Sequence, residues 1–171
     1  DDNQKPEEFT STVIAESGGD GTGTRVVAVA GDRTALYLPP DTESGPRIEV
    51  FGEAGQVVAE HPLPRAATDA ATVPAQTRNG MLVWWTGNDT IAFGPNDLVP
   101  RWTVPDTVGR GDAMADALLL PVADGLAVVD PGSGTVRGTV PVDRDGSGPV
   151  AVTVAGSTVL EQRGDEVVAL R

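Results

Sequence analysis

Apolar residues fall in short runs along this chain, separated by breaks rich in Gly, Pro and Asp. Many runs alternate apolar with polar positions, as in Arg47-Ile48-Glu49-Val50-Phe51. A period of two over a few residues fits strands, and the runs are too short for stable helices. β-Branched residues are frequent in them, which suits a pleated, half-buried surface. The pattern predicts four units of strands. The first unit has strands at 25–30, 34–38, 47–51 and 57–62. The second has them near 71–75, 81–86, 90–93 and 99–104. The third has a poorly marked strand near 112–115, then 117–122, 126–129 and 135–140. The fourth has 150–154, 158–162 and 166–170. In the third unit, the stretch 112–120 (DAMADALLL) fits a helical turn as well as a strand. Gly-Asp, Gly-Asn-Asp and Asp-Gly pairs stand between strands and tolerate the positive φ of tight hairpins.

One segment recurs across these units. Its copies start at Val50, Ala92, Val128 and Ala169, which are 42, 36 and 41 residues apart. A period of roughly 40 residues built from short strands marks a stacked or radial repeat. The expected fold is all-β, a β-propeller of four-stranded antiparallel blades, with four blades in this chain. The blades lie near 25–64, 71–105, 112–142 and 149–171, within a propeller domain of 9–171. Residues 1–8 read as an acidic tail, carrying Asp1-Asp2 and Glu7-Glu8 as solvating charge. Residues 16–24 read as a Gly-rich loop.

The fourth unit lacks a fourth strand, while residues 9–15 (FTSTVIA) form a strand without a unit. The expectation is that the N-terminal strand completes the C-terminal blade. Within one chain this closes a four-bladed ring. Between two chains, or with this chain as half of a longer protein, the ring is larger, with about eight blades, at the upper end of the usual range.

The recurring segment resembles the repeat of pyrroloquinoline-quinone (PQQ) enzyme-like propellers, Ala-x-Asp-x-x-Thr-Gly-Lys-x-x-Trp. The copy at 128–138 keeps Asp130 and Gly134, with Ser133 in the Thr place and Gly138 in the Trp place. The copy at 92–102 keeps Ala92 and Trp102, with Gly94 in the Asp place. The copy at 50–60 keeps the spacing and the turn, and the last keeps Ala169. In such a repeat the Asp accepts hydrogen bonds from its own turn, the Gly takes positive φ, and the Trp packs between blades. The resemblance therefore implies a scaffold and not a cofactor. The Ala/Val/Gly/Asp-rich texture also looks like that of exported or membrane-anchored repeat proteins of high-GC actinobacteria.

Charge narrows the partners. Asp and Glu number 25 against 12 Lys and Arg, a net charge of −13. Nucleic acid and anionic membrane surfaces need a basic patch to release counterions, so both are disfavoured. The chain has no cysteine, which excludes disulfides and thiolate chemistry. No run of this sequence is long and apolar enough to insert in a bilayer.

Few residues nominate chemistry. Quinone enzymes hold calcium with a glutamate, an asparagine and an aspartate, and no such set is assignable. The sharpest motif is Asp143-Arg144-Asp145-Gly146-Ser147-Gly148. Asp143, Asp145 and Ser147 stand at the first, third and fifth places of a calcium loop, where alternation lets oxygens converge on one hard cation. The ninth and twelfth places are Ala151 and Val154, so the bidentate carboxylate is missing and an acidic turn between blades is the competing reading. Calcium is the one metal candidate, and no other cofactor is expected. Arg110-Gly111-Asp112 spells an integrin-binding tripeptide, which would need an exposed loop. His61, the single histidine, has no partner that spacing would nominate, and its expected role is structural. Trp84 and Trp85 are adjacent in a strand and so point to opposite faces, one of them toward a neighbouring blade.

No catalytic residue is assigned. The leading expectation is a non-catalytic propeller that mediates protein–protein interaction outside the cytoplasm. One alternative is a ligand- or quinone-binding propeller with an activity in its central channel. Another is an assembly module that forms a ring with a second chain, a homodimer through propeller closure.

Overall fold

A computed structural model describes residues 23–146 and 148–170. It is nearly all-β, with four four-stranded sheets that succeed one another along the chain. Blade one holds β1 (Arg25–Ala30), β2 (Arg33–Leu38), β3 (Arg47–Phe51) and β4 (Val57–Pro62), paired in that order. Blade two holds β5 (Gln76–Arg78), β6 (Met81–Trp85), β7 (Thr90–Phe93) and β8 (Pro100–Val104). A short strand, β9 (Gly109–Arg110), precedes blade three, which holds β10 (Asp112–Met114), β11 (Ala117–Val122), β12 (Gly125–Val129) and β13 (Val136–Pro141). Blade four holds β14 (Val150–Ala155), β15 (Thr158–Arg163) and β16 (Glu166–Leu170). These meanders, stacked face to face, are the blades of a β-propeller. The N-terminal strand expected at 9–15 lies outside the described residues.

Two expectations on the strands are corrected. The strand expected at 71–75 is a 3-10 turn, Asp69–Thr72, followed by irregular chain, and the inner strand of blade two begins later, at Gln76. The reason is tertiary. Ala71 is buried between blades one and two, and Ala75 N–H donates to Val27 O of β1 at 2.6 Å. Pro74 in this stretch has no N–H to give a ladder. The helical alternative for 112–120 also falls, because the segment is the β10–β11 hairpin, turning at Ala115 with φ 52°.

The fourth sheet reaches its count of four in an unexpected way. β9 pairs with β14 in parallel, through Val150↔Gly109 and Ala151↔Arg110. It adds to the inner side of blade four, so β16 is the outermost strand and its far edge has no partner among the described residues. In blades one to three that outer place is filled by β4, β8 and β13.

Three apolar seams hold the blades together. Trp84, Tyr37, Ile48, Phe93 and Leu98 fill the seam of blades one and two. The Trp84 and Tyr37 rings sit 6.3 Å apart and tilted. Trp102, Val104, Leu118, Leu120 and Val129 fill the second seam, and Leu119, Leu126, Val150 and Val152 the third. Full burial of such side chains stabilises by about 1.5–3 kcal/mol each.

The repeat motif plays the structural role that its resemblance implies. Asp130 Oδ1 accepts from the N–H groups of Gly132 and Ser133, both at 3.0 Å. Gly134 takes φ 71°. Trp102 of blade two lies on this turn of blade three and donates from Nε1 to Pro131 O at 2.9 Å. A Cβ at Gly134 would stand 2.6 Å from Trp102 Cγ. Gly134 is thus required twice, for its φ and for the ring against it.

The third seam also carries charge. Glu161 on β15 is fully buried, and its carboxylate is held by two arginines. Arg144 donates from Nη2 to Oε1 at 2.6 Å and from Nε to Oε2 at 3.1 Å. Arg163 donates from Nε to Oε2 at 2.9 Å. Arg144 also donates to Val122 O and Gly125 O of blade three, at 2.5 and 2.9 Å. Burial pushes the Glu161 carboxyl up, but the hydrogen bonds from Arg144 and Arg163 outweigh it and hold it below its usual range.

Candidate functional site

Strand alternation sorts every connection to one end of the blades or the other. The segments 39–46, 63–75, 86–89, 105–108, 123–124, 142–149 and 164–165 gather at one end, here the loop face. The tight turns at 31–32, 52–56, 79–80, 94–99, 115–116, 130–135 and 156–157 gather at the opposite end. Contacts between blades agree with this sorting. Thr68 N–H donates to Thr86 O on the loop face at 2.9 Å, and Asn79 Nδ2 donates to Ala117 O at the other end at 3.1 Å.

The two ends differ in charge. The loop-face segments carry nine Asp or Glu residues and two arginines, Arg65 and Arg144. Arg144 is turned inward on Glu161, with its side chain 6% exposed. Among the described residues, Glu43, Asp124, Asp143, Asp145 and Asp165 of this face make no ion pair. At the turn end, Asp97 is paired with Arg101 at 2.5 Å, and Asp116 and Asp130 with Arg137 at 2.9 and 2.6 Å. Those pairings leave the turn end closer to neutral than the loop face.

A cleft of about 520 Å³ opens on the loop face, lined in part by Arg65, Thr68, Trp85, Asn88, Asp106 and Thr107. Its floor is rigid. Trp85 Nε1 donates to Thr107 O at 3.2 Å, and the hydroxyls of Thr107 and Thr90 are 2.9 Å apart. Asp89 is 2% exposed, accepts from Asp106 N–H at 3.2 Å, and lies 3.2 Å from Arg65 Nη2. The same guanidinium donates to Asp106 Oδ1 at 2.9 Å. The bond to Asp106 and the charge of Asp89 push the Arg65 guanidinium up, so it stays cationic. Asp106 holds φ 57°, an uncommon value outside glycine, kept by these contacts. Gly87 is packed on Thr68, where a Cβ would be 1.7 Å from Oγ1. The cleft therefore offers the Asn88 amide and the Arg65–Asp106 pair above a largely buried indole. That is equipment for recognising a polar surface.

The residues singled out in the sequence fall in several places. Asp143 and Asp145 are exposed on the 142–149 segment of the loop face, and Ser147 lies outside the described residues. Among the described residues no group of three or more Asp, Glu or His is placed to hold a metal. Arg110-Gly111-Asp112 is not an exposed loop but the inner run of β9 and β10. There Asp112 Oδ2 accepts from Val154 N–H at 2.9 Å, and Oδ1 lies 2.7 Å from Arg78 Nε. His61 is half-buried on β4 of blade one, opposite Ile48, where burial pushes its imidazole down and keeps it neutral. Trp84 packs between blades one and two, while Trp85, also buried, borders the cleft from the opposite face of the strand. Sequence reasoning missed Arg65, Asp89 and Asp106. The Gly-Asn-Asp run at 87–89 was legible as a hairpin, but nothing local ties it to Arg65 or Asp106, which come from other segments.

No protein-family model matches the chain, and no curated protein does. Among solved structures, the chain is similar to BamB from Moraxella catarrhalis, at 16% identity and a TM-score of 0.49. The similarity covers 81% of this chain and 42% of that one, so the chain spans less than half the length of that protein. No helix among the described residues is long and apolar enough to cross a membrane.

Proposed function

We propose that this chain is a non-catalytic β-propeller scaffold that binds another protein through its loop face, outside the cytoplasm. The observation that carries this reading is the asymmetry of the two ends. Among the described residues, three of the five carboxylates in the turn-end segments are paired with arginines, whereas five of the nine in the loop-face segments, Glu43, Asp124, Asp143, Asp145 and Asp165, make no ion pair and are open to an outside cation. Propellers present loops on a rigid frame, and function on such a frame resides in the loops. The partner surface that fits is basic, to meet the unpaired carboxylates of the loop face. Complementary charge of this kind speeds encounter and is screened by salt. The exported-protein texture of the sequence supports the location.

The test is site-specific photocrosslinking in the native host. A photoreactive residue at Asn88 on the loop face is compared with one at Asn96 at the turn end. The expected result is a discrete adduct from Asn88 alone, lost when Asp124 and Asp145 are changed to Lys. Equal labelling from both positions, or an adduct indifferent to the charge reversal, overturns the reading.

A further inference from the structure

Among the described residues, the outer strand of blade four, β16, has no partner on its far edge, and the groove beside that edge is apolar. A groove of about 750 Å³ runs between blades three and four, lined among others by Leu126, Val128, Val140, Val159, Val168 and Leu170. Val140 on β13 is 53% exposed and Val136 is 46% exposed, both on the strand that borders the groove. Val167 on β16 is 68% exposed. An unpaired strand edge beside an apolar groove is a template for one more strand.

We propose that this place is filled by residues 9–15 of a second copy of this chain, so that two copies exchange N-terminal strands. Three observations choose the occupant. First, residues 9–15 (FTSTVIA) are β-branched and uncharged, and their length suits the five residues of β16. Second, the connection has the right polarity and length. In each earlier blade the outer strand ends on the loop face, and a connection of 13, 7 or 8 residues leads to the next inner strand. Nine residues, 16–24, separate position 15 from β1. A strand antiparallel to β16 would likewise end on the loop face and lead directly into an adjoining blade one. Third, that adjoining blade is not the chain's own. Among the described residues no core cluster, ladder or ion pair joins blade four to blade one. Blade one instead leaves Val26 and Val29 of β1 at 49% and 62% exposure. A second copy supplies both missing parts at once, a strand for the groove and a blade for the free face. Exchange of identical elements is a low-cost route to a symmetric dimer. This inference is independent of the loop-face reading, since it rests on the outer edge of blade four and not on the loop-face charges.

The chain has no cysteine, so engineered pairs report cleanly. Thr12→Cys and Val13→Cys, made separately, sample both faces of the proposed strand, and Val167→Cys marks β16. Each strand variant is mixed with the Val167→Cys variant, dissociated, reassociated and oxidised. The expected result is a mixed disulfide dimer for at least one strand position, with light scattering of the unmodified chain giving twice 17.6 kDa. Deleting residues 1–15 should halve that mass while the β circular dichroism persists. If the deletion does not fold, Ile14→Asp in the full chain serves the same purpose. A monomer at all concentrations overturns the proposal. So does an internal disulfide in a Val13→Cys/Val167→Cys double variant, which would mean closure within one chain. A dimer that survives both the deletion and Ile14→Asp also overturns it.

Discussion

The seam between blades two and three is closed by an aromatic ring, and the seam between blades three and four by a buried carboxylate. Trp102 lies across the Asp130–Gly134 turn and satisfies its one polar atom on Pro131 O. Glu161 needs two guanidinium groups to be tolerated in its seam. The aromatic closure is local and largely apolar. The ionic closure ties three segments, the 142–149 connection, the β11–β12 hairpin and β15, at one point. The difference teaches what each seam has to work with. At the seam of blades two and three, both blades carry an outer strand, β8 and β13. At the next seam, β16 has no outer neighbour among the described residues, and the Arg144–Glu161 pair cross-links blades three and four near the loop face.

The largest effect should come from breaking the ionic closure on one side. Arg144→Ala leaves Glu161 buried with Arg163 as its remaining partner, and removal of one member of a buried pair costs about 3–5 kcal/mol. Chemical denaturation should show that loss, with an earlier transition in blade four. The double variant Arg144→Met/Glu161→Leu removes the charge altogether and should recover most of it. A double variant as unstable as the single would show that Arg144 acts through its carbonyl contacts and not through Glu161.

Trp102→Ala tests the aromatic closure. It opens a cavity over the Asp130 turn and should cost about 3 kcal/mol, with Trp102→Phe intermediate because the bond to Pro131 O is lost. If the alanine variant costs less than 1 kcal/mol, the ring is a lid on the turn and not part of the seam.

These two closures were not equally legible in the sequence. Trp102 and Asp130 stand in a repeat whose spacing announces a turn and a packed ring, so their roles follow from periodicity. The strands of blade one, with clear alternation and Gly-Asp turns, were legible for the same reason. Glu161 sits in Thr158-Val159-Leu160-Glu161-Gln162, where alternation alone gives no partner, and its two arginines come from either side in sequence. The inner strand of blade two was misplaced because Val73-Pro74-Ala75 has strand-like residues but spends its backbone on Val27 of blade one. β9 was invisible since two residues carry no period. The loop-face cleft was hidden in the same way, as it is assembled from connections that only the stacking of blades brings together.

Leu98 and Gly134 sharpen the comparison further, because they hold the same position in two copies of the repeat. Both close the turn with an N–H to the carbonyl four residues back, Leu98 to Gly94 and Gly134 to Asp130. Leu98 does so at φ 56°, a conformation that costs a leucine about 1–2 kcal/mol. It is also fully buried in the first seam. Burial should win, so Leu98→Gly is expected to destabilise by about 2 kcal/mol despite relieving the backbone. Gly134→Ala should destabilise by a similar amount for the opposite reason, a Cβ pressed on Trp102. In the Trp102→Ala background the cost at Gly134 should fall to the backbone part alone. A stabilising Leu98→Gly would mean that the first seam does not depend on its anchor.

The smallest effect is electrostatic and separates the exposed turn from the buried pair. Asp130 is held down to about 2, first by Arg137 and then by the amides of its own turn. Its folded pKa lies below its unfolded value of 3.8, so it stabilises the fold at pH above that value. The contribution is lost as pH falls from about 4 through about 2. Asp130→Asn should therefore flatten the fall in melting temperature over that window and leave the curve above pH 5 parallel to the parent. Salt should weaken the parent's advantage, because Arg137 and Asp130 meet at the surface where ions screen them. Glu161, buried and doubly paired, should show the same sign of pH dependence but little response to salt. If the two carboxylates respond to salt alike, the third seam is wet, and its closure depends on surface charge as the turn does.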